Sequence, residues 1–409
     1  MKNILIITYW SYNEALIQAY TLPYVRIIKK QLPSASLVFL VTLEKDRGWL
    51  AKNKESVTKQ LEEEGLRWIP LHYKPFGWAA LFMWIRSGMH LHGIIRKNKI
   101  DVIHCWCTPA GAVGYILSMV TGKKLVIDSY EPHAEAMVEN GTWKKNSIAF
   151  KLLFWLEKKQ TQKAEFIIAA TKGMREYAQE KYGVAIKNYF VKPACVDLSL
   201  FSLTKKKDQV LINQLNLADK ITCVYAGKFG GIYLESEIFD MFKAAYDFWG
   251  DQFRVLLLTD FSREEINAHC VRVKIPNSII TNRFVAHREI PFYMGLADFA
   301  ICPVKPLPSK RYCTPIKNGE YWAMGLPVII PLNISDDSEI IESNNAGAVL
   351  YELNEQTYQS AIEKIDKIIK EPNEERTKRI RLLALTYRDF SVAEKVYKSL
   401  ANVFEKQMQ

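Results

Sequence analysis

Short runs of consecutive apolar residues recur along the chain, each followed by a longer segment whose apolar positions fall at helical spacing. In the first half the runs are ILIIT (4–8), LVFLVT (37–42), WIPL (68–71), DVIHCW (101–106), LVIDS (125–129), FIIAAT (166–171) and YFVKPA (189–194). In the second half they are ITCVYAG (221–227), RVLLLTD (254–260), SIITNRFV (278–285), FAICPV (299–304), PVIIPL (327–332) and AGAVLYE (346–352). An unbroken apolar run fits a strand buried on both faces, the habit of parallel sheets covered by helices on either side. The pattern predicts an α/β chain with two doubly wound parallel sheets in tandem. They divide near residues 195–207, where Lys205-Lys206-Lys207-Asp208 reads as a solvated linker. Such sheets bind ligands outside the carboxyl ends of their strands, so the residues just after each run are the candidates for chemistry.

The richest of these stretches is CTPIKNGEYWAMGLPVIIP, from Cys313 to Pro331. Thr314 suits an N-cap and Pro315 the first helical position, while Gly325-Leu326-Pro327 closes the helix before a short buried strand. Thr314, Lys317 and Tyr321 share one face. Backbone N–H groups, a hydroxyl and an ammonium at its start favour an anion such as a diphosphate. Glu320, about two turns in and roughly 9 Å along the axis, is placed to accept hydrogen bonds from an attached ribose. An ordinary capped helix with exposed Lys and Glu would have the same local sequence. After the first run of the second half comes Gly227-Lys228-Phe229-Gly230-Gly231, where the glycines allow close approach to a phosphate and Lys228 supplies charge. Asp128-Ser129-Tyr130-Glu131-Pro132-His133 places a histidine in a loop after a strand. Asp336 and Glu339 suggest either a capping box or metal ligands, the box being the simpler reading.

Composition narrows the class. The chain has 409 residues, 49% hydrophobic and 24% charged, which suits a two-domain globular protein. Its formal net charge of +11 permits nucleic acid, an anionic membrane or an anionic substrate as partner. No nucleic-acid motif is present, so nucleic acid is set aside. Seven cysteines without regular spacing form no disulfide framework, and a reducing cytoplasm is expected. MKNILIITYW reads as a first strand, not a signal peptide. The segment Phe76–Lys97 is rich in aromatic and aliphatic residues but is too interrupted by Arg86, His90 and His92 to span a bilayer. It is read as a helix packed on the sheet, with an aromatic edge touching membrane or a lipid-linked acceptor as the alternative. For the lysines from Lys144 to Lys163, a solvated basic face stands against an anionic-acceptor or membrane patch.

CTPIKNGEYWAMGLPVI, continued by Asn333 to Ile341 and by Asn345-Ala346-Gly347, resembles the donor-site region of family 4 glycosyltransferases with the pattern S/T-P-x-K-x-x-E-Y-x-A-x-G-x-P-V-I. Pro193-Ala194-Cys195-Val196-Asp197 to Phe201 resembles that family's inter-domain crossing. The resemblance implies a GT-B fold, with two Rossmann-like domains of parallel sheet facing a cleft. These would be an acceptor-side domain over 1–199, a nucleotide-sugar domain over 200–385 and a C-terminal helix over 386–409 crossing back to the first. It implies a retaining, metal-independent transferase in cell-surface glycan synthesis, moving sugar from a UDP or GDP donor to a saccharide or lipid-linked acceptor, with no cofactor. Carried over, the donor-binding residues are Gly227, Lys228, Gly230, Gly231, Arg288, Thr314, Pro315, Lys317 and Glu320. His133 would lie against the transferred sugar and acceptor, and His133, Lys228 and Glu320 form the catalytic group. The loop Trp10 to Ala15 becomes the acceptor-side loop. Two positions depart from the family: Tyr312 stands where many members have an earlier glutamate, and Leu234-Glu235 where a second lysine is usual, so Lys317 is expected to supply that charge. A GT-B sugar-nucleotide epimerase and an inactive sugar-nucleotide-binding protein remain alternatives. Peripheral contact with an anionic membrane, on its inner face, is left open.

Overall fold

The computed structural model describes residues 3–14, 16–73 and 78–406. It contains two compact units, Met1–Lys192 with Ser391–Gln409, and Pro193–Phe390.

In the first unit the strands are β1 (Ile4–Ile7), β2 (Val38–Glu44), β3 (Leu66–His72), β4 (Val102–Trp106), β5 (Lys124–Tyr130), β6 (Phe166–Ala169) and β7 (Tyr189–Val191). They form one parallel sheet in the order β3-β2-β1-β4-β5-β6-β7. The central strands are buried along their length, as the unbroken apolar runs require. The helices that matter below are α1 (Trp78–Lys97), α2 (Cys107–Thr121), α3 (His133–Glu139) and α4 (Ile148–Lys163), with α2 packed against both α1 and α4. Part of the 76–97 reading lies outside the described residues: no placement is given for residues 74–77 or for the side chains of 78–84.

The second unit has β8 (Ile221–Ala226), β9 (Phe253–Leu258), β10 (Ile280–Arg283), β11 (Phe299–Ile301), β12 (Val328–Pro331) and β13 (Gly347–Leu350). Their order is β10-β9-β8-β11-β12-β13, again all parallel. Chain order reverses between β8 and β11, the position at which open α/β sheets bind ligands. Helix α5 (Ile316–Ala323) leads into β12, and α6 (Asp337–Ser343) follows it. Buried apolar side chains cover both faces of the sheet.

The Lys205–Lys207 segment is not a solvated linker. Lys205 donates to the Leu200 carbonyl at 2.7 Å, and Lys207 donates to the Leu296 carbonyl at 2.7 Å and pairs with Asp298 at 2.8 Å. Burial, with Arg376 and Lys207 nearby, pushes the Lys206 amine down to about 8. These bonds hold the segment to the second unit, so the division falls at Lys192/Pro193. The final helix, α7 (Phe390–Lys406), lies on the first unit beyond its first residue. There Tyr397 donates to the buried Asp128 carboxylate at 2.7 Å. Asp128 also meets Lys192 at 3.2 Å and His104 at 3.1 Å. Burial pushes Asp128 up, but Lys192 and the bonds from His104 and Tyr397 hold it below the usual range.

Candidate functional site

At the reversal point of the second sheet, the loops leaving β8 and β11 are joined by backbone bonds. Leu234 donates to the Pro303 carbonyl at 2.7 Å and Lys305 to the Ile232 carbonyl at 3.0 Å. The β8 loop turns at Gly230 and Gly231, whose φ values of 72° and 59° suit glycine. Helix α5 lies beside this loop because the buried Tyr321 accepts the Ala226 N–H on its hydroxyl at 3.1 Å. One turn earlier, Lys317 extends over Gly227. A Cβ on Gly227 would stand 2.6 Å from the Lys317 Nζ, so only glycine leaves room for the ammonium there. The Lys317 ammonium donates to the Tyr233 hydroxyl at 3.2 Å and lies 4.3 Å from the centre of that ring. The Tyr225 hydroxyl donates to the Lys228 carbonyl, and the Lys228 side chain is exposed.

Glu320 is one turn along α5 from Lys317 and is 8% exposed. Its carboxylate meets His287 at 3.5 Å. The hydrogen bond to Glu320 raises the His287 pKa above its ordinary value against an opposing effect of burial, with Asp197 adding to the rise. Phe201 packs edge-on to the same imidazole at 5.9 Å. Arg288, its neighbour and one of the residues carried over to the donor site, is exposed. The site therefore has a cationic end at Lys317 and the β8 turn, and an anionic end at Glu320.

A buried network fixes α5 from behind. Asn318 donates to Asp337 at 2.7 Å, and Arg388 pairs with the other Asp337 oxygen. Arg388 also donates to the Ala194 carbonyl at 3.3 Å and stacks over Trp322. Asp337 is thus held by protein groups, and among the described residues no cluster of His, Cys, Asp or Glu is placed to hold a metal ion.

Two local readings need correction. Pro315, not Thr314, occupies the N-cap of α5, without a side-chain cap, and the Thr314 hydroxyl faces Ser335 at 3.3 Å. Asp336 makes no side-chain cap, so there is no capping box: its backbone is already helical, and the buried Ser338 hydroxyl organises the turn by accepting the Ile334 N–H at 3.0 Å. Leu234 is buried, and Glu235 faces His269 at 3.3 Å. Tyr312 ends the short turn Pro308–Tyr312. Sequence reasoning set the stretch from His287 to Tyr293 beside the base through its backbone, by resemblance, but gave no role to the side chains of His287, Tyr225 or Tyr233. The tyrosines flanking the glycine turn and the histidine beside Arg288 were the available signals.

In the first unit, His133 opens α3, and its Nδ1 lies 3.7 Å from Glu131. The next residue, Ala134, donates its N–H to Glu157 of α4 at 2.9 Å. Burial pushes Glu157 up to about 7, although the bonds from Ala134 and Tyr182 oppose it.

Residues 38–200 match the sequence profile of Glycosyltransferase Family 4. Among solved structures, Anabaena HepE in complex with UDP is similar at a TM-score of 0.71 and 14% identity, over 98% of this chain and 100% of that one. Sucrose-phosphate synthase from Thermosynechococcus elongatus gives 0.72 and 16%, over 99% and 100%. WaaG, a glycosyltransferase involved in lipopolysaccharide biosynthesis, gives 0.67 and 11%, over 97% and 98%. No curated protein matches the chain in sequence.

Proposed function

Taking the chain as a GT-B protein of glycosyltransferase family 4, we propose that it transfers a sugar from a nucleoside diphosphate donor to a saccharide or lipid-linked acceptor, with retention of anomeric configuration. The observation that carries this reading is the Lys317 ammonium seated over Gly227 at the strand-order reversal, one helical turn from the Glu320 carboxylate. A diphosphate at the Lys317 end receives a cation, the glycine-turn backbone and the exposed Lys228. Its ribose then reaches Glu320, whose carboxylate accepts hydroxyl bonds, and the base lies toward Arg288. Thr314 and Pro315 flank the diphosphate at the helix start. The HepE structures with UDP and with UDP-glucose support this choice of donor class.

Departure of the diphosphate builds negative charge on its terminal oxygens. Lys317, seated over Gly227 and bonded to Tyr233, opposes that charge from a fixed position and the exposed Lys228 adds to it, so the leaving group is stabilised by the protein's own cations. The acceptor side of the reaction is assigned to the first unit, with His133 as the residue against the transferred sugar. The test is incubation with radiolabelled UDP- and GDP-sugars and a lipid or saccharide extract, with and without EDTA. Label should pass to an acceptor with its anomeric configuration kept, and EDTA should not stop it. An altered nucleotide sugar released without acceptor would make the protein an epimerase. Donor binding without any turnover would make it a binding protein.

A further inference from the structure

The inward face of α4 is polar. Its buried positions are Phe150, Glu157, Gln160 and Thr161, and all but the first carry polar side chains. Glu157 and Gln160 have no exposed surface. A helix seated on a sheet ordinarily buries an apolar stripe, and an ionisable group is taken out of water only at a cost that apolar packing avoids. All three polar side chains reach segments at the carboxyl ends of β4 and β5, the edge of the sheet where chemistry is expected. Gln160 donates to the Thr108 carbonyl in the first turn of α2 at 3.1 Å, and Thr161 meets the hydroxyl of Tyr130, the last residue of β5, at 2.5 Å. Glu157 serves the turn that carries His133.

That turn has no cap of its own. Helix α3 begins at His133 with Pro132 in the N-cap position, and proline offers no side-chain acceptor to the free N–H groups of the first turn. Glu157 supplies one from α4: one carboxylate oxygen accepts the Ala134 N–H at 2.9 Å, and the other accepts the Tyr182 hydroxyl at 2.9 Å. Both donors are neutral. Around them, Tyr182 packs edge-on to Tyr177 at 5.4 Å, Tyr177 donates to Glu135 at 2.7 Å, and Lys181 stands 3.9 Å from Glu135. Burial pushes the Glu157 carboxyl up to about 7; the bonds from Ala134 and Tyr182 and the nearby His133 oppose the rise, and Glu135 adds to it. The group therefore gains and loses its proton near neutral pH. Ionised, it accepts with both oxygens, and its bond to the helix start is charge-assisted. Protonated, it obliges Tyr182 to turn from donor to acceptor and leaves the Ala134 N–H with a neutral acceptor.

We infer that Glu157 is a positioning residue for the transfer reaction: its carboxylate caps α3 from α4, fixes His133 against the transferred sugar, and makes turnover rise as it ionises. The inference deepens the transferase reading and rests on the place given there to His133.

The experiment joins an amide titration to a mutant cycle. In the full chain labelled with 15N-alanine, the Ala134 amide signal should titrate with a midpoint near pH 7. Tyr182→Phe, which removes a bond to the charged form, should move that midpoint upward. Glu157→Gln keeps an acceptor for Ala134 but has no proton to lose, so the titration should vanish. Wild-type kcat should rise through the same midpoint, and Glu157→Gln should lack that rise and turn over roughly tenfold more slowly on its alkaline side, with UDP affinity and melting profile unchanged. In a His133→Ala background the same substitution should change kcat little. An Ala134 signal that does not titrate in wild type, a pH profile unchanged in Glu157→Gln, or the same fold-loss with and without His133 would overturn the inference. A wild type that binds UDP and transfers no sugar would overturn it together with the transferase reading, whereas transfer with an additive cycle overturns this inference alone.

Discussion

Replacing Gly227 by alanine tests the phosphate end of the site through one methyl group. The new Cβ would lie 2.4 Å from the Lys317 Cε and 2.6 Å from its Nζ, whereas ordinary contact begins at 3.4 Å, so the end of Lys317 must withdraw by about 1 Å. The group that moves most is a flexible side chain, while the Tyr225 hydroxyl, 3.0 Å from the new Cβ, gives by a few tenths of an ångström, so the packing cost is small. Gly227 has a φ of 154°, and a Cβ there adds backbone strain on the order of 1–3 kcal/mol. A lysine bond to a charged phosphate contributes roughly 1.5–3 kcal/mol, so its loss should weaken nucleoside diphosphate binding about ten- to a hundredfold. Isothermal titration with UDP and GDP measures this, and thermal melting measures the strain separately. If Gly227→Ala acts by moving the ammonium, its effect on binding should nearly vanish in a Lys317→Met background. Wild-type affinity in Gly227→Ala, or full additivity in the double mutant, would refute the reasoning.

Three further outcomes follow from the geometry. The folded-state pKa of His287 is raised by Glu320, so its stabilisation is fully present below about 6.5, its ordinary value, and is lost as pH rises through the folded value. Because the imidazole is half exposed, His287→Gln should cost less than about 1 kcal/mol near pH 6, with the gap to wild type closing on the alkaline side. Arg388→Met leaves the buried Asp337 without its cation and should cost about 3–5 kcal/mol in denaturant unfolding, most of it recovered by adding Asp337→Leu. His133→Ala should lower turnover by roughly one to several orders of magnitude while UDP affinity holds, whereas equal losses in both would remove it from the acceptor side.

The central strands were legible because a parallel sheet buries both of their faces, so each appears as an unbroken apolar run. Residues within a single loop or helix, such as Lys317 and Glu320 one turn apart, could be read in the same way. Contacts across the sheet could not. Lys317 meets Gly227 because β8 and β11, distant in sequence, lie side by side, and His287, which follows β10, meets Glu320 of α5 across a separate loop. The lysine run at 205–207 misled because a charge run is usually solvated, whereas here nearby carbonyls and Asp298 take up two of the ammonium groups. Thr314-Pro315 fits two helix starts one residue apart, and the contact with Ser335 accompanies the later one.

The central claim is that α5 holds a nucleoside diphosphate with its ribose on Glu320. It is tested most directly by titrating wild type and Glu320→Gln with UDP and with 2′,3′-dideoxy-UDP. Wild type should prefer UDP by roughly ten- to a hundredfold, the value of charge-assisted bonds from the two ribose hydroxyls. The variant should bind both nucleotides about equally, at the affinity wild type shows for the dideoxy form. If Glu320→Gln still discriminates as strongly as wild type, Glu320 does not read the ribose and the donor lies elsewhere.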